Sequence, residues 1–170
     1  AMTGVCRKIV NYRDNSGDRR TVAGTQSKLY AIDEAFALYD ITPTGFTAGD
    51  ADGVQNLGWG ALGWGASTYG TPRPDSGTYT PATTWSIDTW GEYAIGCATS
   101  DGKIYQWEND TGTIAAVLSN APTDCNAIIS TDERFLFALG AGGEGNRVEW
   151  SDQENNNLWA AAATNQAGGF

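Results

Sequence analysis

The side chains that carry most enzyme chemistry near neutral pH are scarce in this chain. Among its 170 residues there is no histidine. That removes Ser-His-Asp and Cys-His nucleophilic centres, imidazole-based zinc sites and the commonest general base together. Carboxylate chemistry is what remains. Glu149, Asp152 and Glu154 cluster around Trp150, and paired carboxylates are what a glycosidase needs. In a chain with 20 acidic residues, ordinary solvated carboxylates account for them more simply. Asp50-Ala-Asp52-Gly53 resembles the opening of a calcium loop, with two carboxylates two residues apart and a glycine for the bend. Counted from Asp50, however, the fifth position is Val54 and the twelfth is Ala61, where a bidentate glutamate belongs. The segment therefore reads as a turn, as do Asp14-Asn-Ser-Gly17 and Asn109-Asp-Thr-Gly112. Cys6, Cys97 and Cys125 are an odd set with no pairwise spacing, expected as buried or half-buried thiols in a reducing compartment. No catalytic residue, metal site or cofactor is expected.

Binding is a different matter. Leu57-Gly-Trp-Gly-Ala-Leu-Gly-Trp-Gly65, followed by Thr68-Tyr-Gly-Thr-Pro-Arg-Pro74, carries large flat side chains on a glycine-rich backbone. It cannot form an ordinary core strand and is too aromatic for a solvated linker. Trp59, Trp64 and Tyr69 are the candidate binding residues. Their rings suit a protein interface, the apolar face of a sugar, or the rim of their own domain.

The elements around this insertion are β-strands. Twenty-two glycines, with abundant Thr, Trp and Tyr, favour strands joined by many turns. Tyr93-Ala-Ile-Gly-Cys-Ala-Thr-Ser-Asp-Gly-Lys-Ile-Tyr-Gln-Trp-Glu108 reads as a hairpin whose Asp101-Gly102 pair accepts the positive φ of a tight turn. Looser versions run from Thr21 to Asp33 and from Phe135 to Asp152. Each passes from an apolar strand through a small-residue turn to a basic residue, Lys28, Lys103 or Arg147. Aligning Tyr105 with Val148 gives an offset of 43 residues, and aligning Tyr30 with Tyr105 gives 75, an excess about the size of the insertion. Trp107 and Trp150 then read as one repeated core position. Units of four short strands repeating every 40 to 45 residues are the signature of β-propeller blades.

The expected organisation is all-β in one domain over residues 1–170. Blade 1 spans about 5–42, the Gly/aromatic insertion 43–83, blade 2 about 84–119 and blade 3 about 126–164. The fourth strand of blade 3 is placed at Leu158-Trp-Ala-Ala-Ala-Ala163. Three blades leave two apolar ends open, whereas propellers close with about four to eight. Two copies closing a six-bladed ring, or a longer parent chain, would satisfy them. The net charge of −10 argues against nucleic acid, whose phosphates would repel this surface. No apolar run approaches the roughly 20 residues of a membrane span, and no signal-peptide pattern opens the chain.

Several segments together carry a family resemblance. They are Thr21-Val-Ala-Gly-Thr-Gln-Ser-Lys-Leu-Tyr with Leu38-Tyr-Asp-Ile-Thr-Pro43, and the Gly-Trp-Gly and Tyr-Gly-Thr-Pro-Arg73 insertion. Trp85-Ser-Ile-Asp-Thr-Trp-Gly-Glu, Leu118-Ser-Asn-Ala-Pro122 and Arg147-Val-Glu-Trp-Ser-Asp-Gln-Glu154 complete the set. In this order, from Val5 to Phe170, they resemble the propeller-containing structural proteins of tailed bacteriophage virions. The resemblance implies a non-enzymatic tail or tail-hub component that acts as a protein–protein scaffold. It would be made in the host bacterial cytoplasm, reside in the virion, contact other virion proteins, and be a portion of a longer chain. It implies no catalytic residues. A carbohydrate-binding propeller module recognising host glycans is the alternative. WD-repeat propellers fit less well, because the chain has neither histidine nor a Trp-Asp dipeptide.

Overall fold

The computed structural model describes residues 1–53 and 80–170. Its described part is built from twelve short strands in three antiparallel four-stranded sheets, with a single 3-10 turn at Ala141–Gly143. The first sheet contains β1 (Cys6–Arg13), β2 (Arg19–Thr25), β3 (Leu29–Ile32) and β4 (Leu38–Asp40). The second contains β5 (Trp85–Trp90), β6 (Tyr93–Ala98), β7 (Ile104–Trp107) and β8 (Ala116–Val117). The third contains β9 (Ala127–Ser130), β10 (Leu136–Leu139), β11 (Val148–Trp150) and β12 (Gly168–Gly169). Within each sheet the strands lie side by side in chain order, the simplest meander.

Local chemistry accounts for the turns. Between β1 and β2, Gly17 takes φ 89°, its N–H donates to the Asp14 carbonyl at 3.0 Å, and the Asp14 carboxylate accepts from the Asp18 N–H at 2.9 Å. Between β6 and β7 the connection is five residues, 99–103, and only Gly102 of the Asp-Gly pair has positive φ, 61°. The turn expected at Ser100-Asp101-Gly102 is thus part of a longer connection, with the Gly102 N–H donating to the Ala98 carbonyl at 2.8 Å. A Cβ on Gly102 would lie 2.4 Å from the Asp124 Cα, so glycine here also admits the neighbouring backbone.

The sheets pack face to face. Strand pairing with a period of two sorts each strand's residues onto two faces. Val10, Val22, Ala31 and Tyr39 share one face of the first sheet, and Trp85, Ile87, Ala94, Tyr105 and Trp107 share the facing side of the second. These residues form one core layer. From the other side of the second sheet, Trp90, Ile95, Cys97 and Ile104 meet Ile128, Leu136 and Ala138 of the third in a second layer. The first strands of the sheets also come together, β1 against β5 and β5 against β9. Here Ser86 and Asp88, polar residues inside a core strand, find their role. The Ser86 hydroxyl donates to the Ile128 carbonyl at 2.9 Å and accepts from the Ile128 N–H at 3.2 Å. The Asp88 carboxylate accepts from the Ser130 N–H at 2.9 Å. Backbone groups on the side of β9 away from β10 are thereby satisfied.

Two sequence expectations fail in the third sheet. Its fourth strand is Gly168–Gly169, not Leu158–Ala163. Residues 158–166 instead form an irregular turn pinned by Asn165. Its side chain accepts from the Ala162 N–H at 3.0 Å and donates to the Ala160 carbonyl at 2.8 Å. The alanine run has no β-branched side chains to fill a pleated surface. Trp159 leaves it to join the core layer between the second and third sheets. The second failure is the pairing of Trp107 with Trp150. Trp107 is buried against the first sheet, whereas Trp150 pairs with Phe137 on the third sheet's outer face and is half-buried. The β10–β11 connection, 140–147, is three residues longer than the β6–β7 turn. An alignment by sequence offset thus places Tyr105 and Val148 on opposite faces, because a one-residue slip inverts a strand.

Candidate interaction surfaces

Trp59, Trp64 and Tyr69 lie outside the described residues. The described segments on either side of the insertion are held by backbone hydrogen bonds. The Thr83 N–H donates to the Asp50 carbonyl at 3.0 Å, and the Gly49 N–H donates to the Gln26 carbonyl at 2.8 Å. The chain therefore departs at Asp50 and returns at Thr83 from one place, beside the β2–β3 turn. The Asp101 carboxylate holds that place to the second sheet. It accepts from the Tyr105 hydroxyl at 2.5 Å and from the Thr47 N–H at 3.3 Å. Burial first, then this carboxylate, pushes the Tyr105 hydroxyl far above the usual phenol range. Phe46 completes the anchor, stacked on Trp85 at 5.4 Å between ring centres.

The clustered carboxylates are committed to separate partners. Glu149 pairs with Arg147 at 2.6 Å and Glu154 with Arg134 at 3.0 Å. Asp152 accepts from the Gln166 N–H at 2.8 Å. Among the described residues, no three His, Cys, Asp or Glu side chains are grouped to hold a metal ion, and no helix is long and apolar enough to cross a membrane. The thiols divide: Cys97 and Cys125 are buried, but Cys6 is exposed, against the expectation that all three would be covered. Cys6 lies next to a register shift at the start of β1, an outermost strand.

The surfaces that stand out are the outer faces of the two end sheets, which the sequence reading expects to be open and apolar without naming their residues. On the third sheet, pairing places Ala127, Ile129, Phe137, Leu139, Val148 and Trp150 on the face turned away from the second sheet. Phe170, paired with Val148 through two 2.9 Å backbone bonds, extends it. Every side chain on this face is apolar. Ile129 is 49% exposed and Phe170 81%, and Phe137, Trp150 and Phe170 form a ladder of rings 5.9 and 6.1 Å apart. An open groove of about 480 Å³ runs beside it, lined by Glu144, Arg147, Glu149, Trp159 and Phe170.

The first sheet's outward face is mixed. Ile9 (53% exposed), Ile32 and Leu38 alternate with Asn11, Thr21 and Asp40. Its buried members are Ala23 and Tyr30, and the Tyr30 hydroxyl accepts from the Thr3 N–H at 2.9 Å. A larger groove, about 940 Å³, opens at the β1–β2 end between Arg13, Arg19, Arg20 and Phe36. A signal for the apolar third-sheet face was present. Phe135 to Leu139 is continuously apolar, which demands cover on both sides, and Ala127/Ile129 and Val148/Trp150 add apolar residues at a spacing of two.

No family model matches this chain, and neither does any curated protein or any solved structure.

Proposed function

We propose that the three sheets are successive blades of a β-propeller arc, and that the protein acts without chemistry as a rigid scaffold for protein–protein contacts. The observation that carries this reading is the apolar outer face of the third sheet. A contiguous exposed apolar surface with an aromatic ladder is the usual mark of an interaction site, and here it is presented by a sheet rather than a loop. Three features support the arc. The sheets are four-stranded meanders, they stack face to face in chain order, and their first strands lie together. Placement in a tailed-phage virion, as a tail or tail-hub component meeting other virion proteins, comes from the sequence resemblance. The aromatic residues of the insertion, Trp59, Trp64 and Tyr69, would add a second contact.

Two measurements test the reading. Small-angle scattering from the monomeric species should fit a curved three-sheet body, and a linear or collapsed profile would end the arc. A glycan array should show no saturable binding. Saturable binding lost in Trp59→Ala or Trp64→Ala would instead make this a carbohydrate-binding module.

A further inference from the structure

We propose that the outer face of the third sheet docks on the outer face of the first sheet of a second copy, so that two copies close head to tail into a ring of six sheets. The proposal rests on the reading of the sheets as blades of an arc, and it names the partner of the exposed face.

The fold contains the docking rule twice. The first sheet buries the face carrying Val10, Val22 and Ala31 under the second, and the second buries the face carrying Trp90, Ile95 and Ile104 under the third. In each case the covering sheet offers the opposite face of its own strands. The third sheet's Ile129, Phe137 and Trp150 occupy the position that is covered in the two sheets before it. The first sheet's Ile9, Ile32 and Leu38 occupy the covering position of the two sheets after it. A second copy, placed by the operation that relates successive sheets, therefore brings these two surfaces together, with Ile9, Ile32 and Leu38 meeting the apolar face beside Asn11, Thr21 and Asp40.

Charge runs the same way. Residues 5–42 hold six basic and five acidic side chains, whereas residues 126–170 hold two basic and six acidic ones. A first sheet set against a third sheet thus opposes a slightly basic unit to an acidic one. Two third sheets set face to face would oppose like charges, which disfavours the two-fold contact of that face with itself. Closure selects the number of copies. A head-to-tail contact forms a ring only where the rotation closes, and propellers close at about four to eight blades. Two copies give six sheets, while three would give nine.

The test is mass by light scattering over a range of micromolar concentrations, on the wild-type protein and on Ile9→Asp, Ile129→Asp and, as a control, Val117→Asp. All three positions are exposed, so the charges should leave the sheets folded, as circular dichroism checks. If Ile129→Asp loses its sheet signal, Phe170→Asp on the same face replaces it. The wild-type protein and Val117→Asp should show twice 18.0 kDa, and Ile9→Asp and Ile129→Asp should each fall to 18.0 kDa. Mixing those two variants should restore the double mass, since the mixed pair keeps one unaltered interface. A wild-type mass of 18.0 kDa, a dimer indifferent to Ile9→Asp, masses rising without limit, or no recovery on mixing would each overturn the proposal. Scattering from whichever species is monomeric separates the two ideas. A curved monomer loses only the docking, and any other shape loses the arc beneath it.

Discussion

The indole N–H of Trp85, the first residue of β5, donates to the carbonyl of Thr25, the last residue of β2, at 2.7 Å, and both residues are buried. This bond ties the second sheet to the first at the end where the 43–53 segment crosses between them. It also explains Gly24. A Cβ there would stand 2.5 Å from the indole Cγ, so the ring lies directly on the β2 backbone. Trp85→Phe should keep most of the packing but strand a buried carbonyl, costing about 1–3 kcal/mol. Gly24→Ala should cost a similar amount, about 1–3 kcal/mol, by forcing the ring away. In a chain of this size each kcal/mol lowers Tm by about 2–4 °C. Thermal denaturation at fixed protein concentration checks both, and an unchanged Tm in Gly24→Ala would show that the ring does not rest there.

Ser86 and Asp88 make a matching joint between the second and third sheets. Removing the Asp88 carboxylate leaves the Ser130 N–H without its acceptor. Asp88→Ala should therefore destabilise by about 1–3 kcal/mol, whereas Asp88→Asn, which keeps an acceptor oxygen, should lose less. Amide hydrogen exchange gives the local readout. Ser130 should lose protection in Asp88→Ala, and Ile128 in Ser86→Ala, while β1 amides stay protected.

Much of this architecture could be read from the chain, and the exceptions share a cause. The hairpins read at Thr21–Asp33, Tyr93–Glu108 and Phe135–Asp152 are β2–β3, β6–β7 and β10–β11, because turn signals such as Asp101-Gly102 punctuate a simple meander, and Asp14 to Gly17 and Asn109 to Gly112 fall between strands. Which face a residue occupies was less accessible. Trp107 and Trp150 look equivalent in sequence, yet connections of unequal length put them on opposite sides of their sheets. β12 is two glycines with no side-chain pattern at all, held by the pairing of Trp150 with Gly168. A Cβ on Gly168 would come within 2.6 Å of the Trp150 ring, so the requirement there is for an absent side chain, which periodicity cannot register. The membership of the candidate surface was hidden in the same way: an open apolar end is expected of the last sheet, but the face is assembled from alternate residues of three strands and Phe170.

The three thiols should behave differently. Cys6 is exposed, while Cys97 and Cys125 are buried. Burial first, then the Glu149 and Asp124 charges, pushes the Cys125 thiol up to about 12 from 9.0, and burial raises Cys97 strongly as well. A disulfide reagent at pH 8 should titrate one thiol in the native protein and three in denaturant. Because the folded value lies above the unfolded one, the stability that the neutral Cys125 thiol contributes is fully present below pH 9. It is then lost as pH rises toward 12. Cys125→Ser, whose hydroxyl does not titrate there, should flatten the fall of Tm across that interval. Rapid native reaction of two or more thiols would contradict the burial.

Asp33 should govern the acid side. Its carboxylate accepts from the Ala37 N–H at 2.8 Å and from the Tyr39 hydroxyl at 2.9 Å, closing the β3–β4 turn in which Phe36 adopts φ 61°. The Ala37 N–H holds the carboxyl below its usual 3.8, desolvation opposes this, and the Tyr39 hydroxyl adds to the lowering. With the folded value below the unfolded one, the contribution is present above 3.8 and is lost as pH falls through the folded value. The Tm advantage of the wild-type protein over Asp33→Asn should therefore be constant near neutrality and shrink as the solution is acidified below pH 4. A difference that did not change with pH would mean that the turn needs the shape of Asp33 and not its charge.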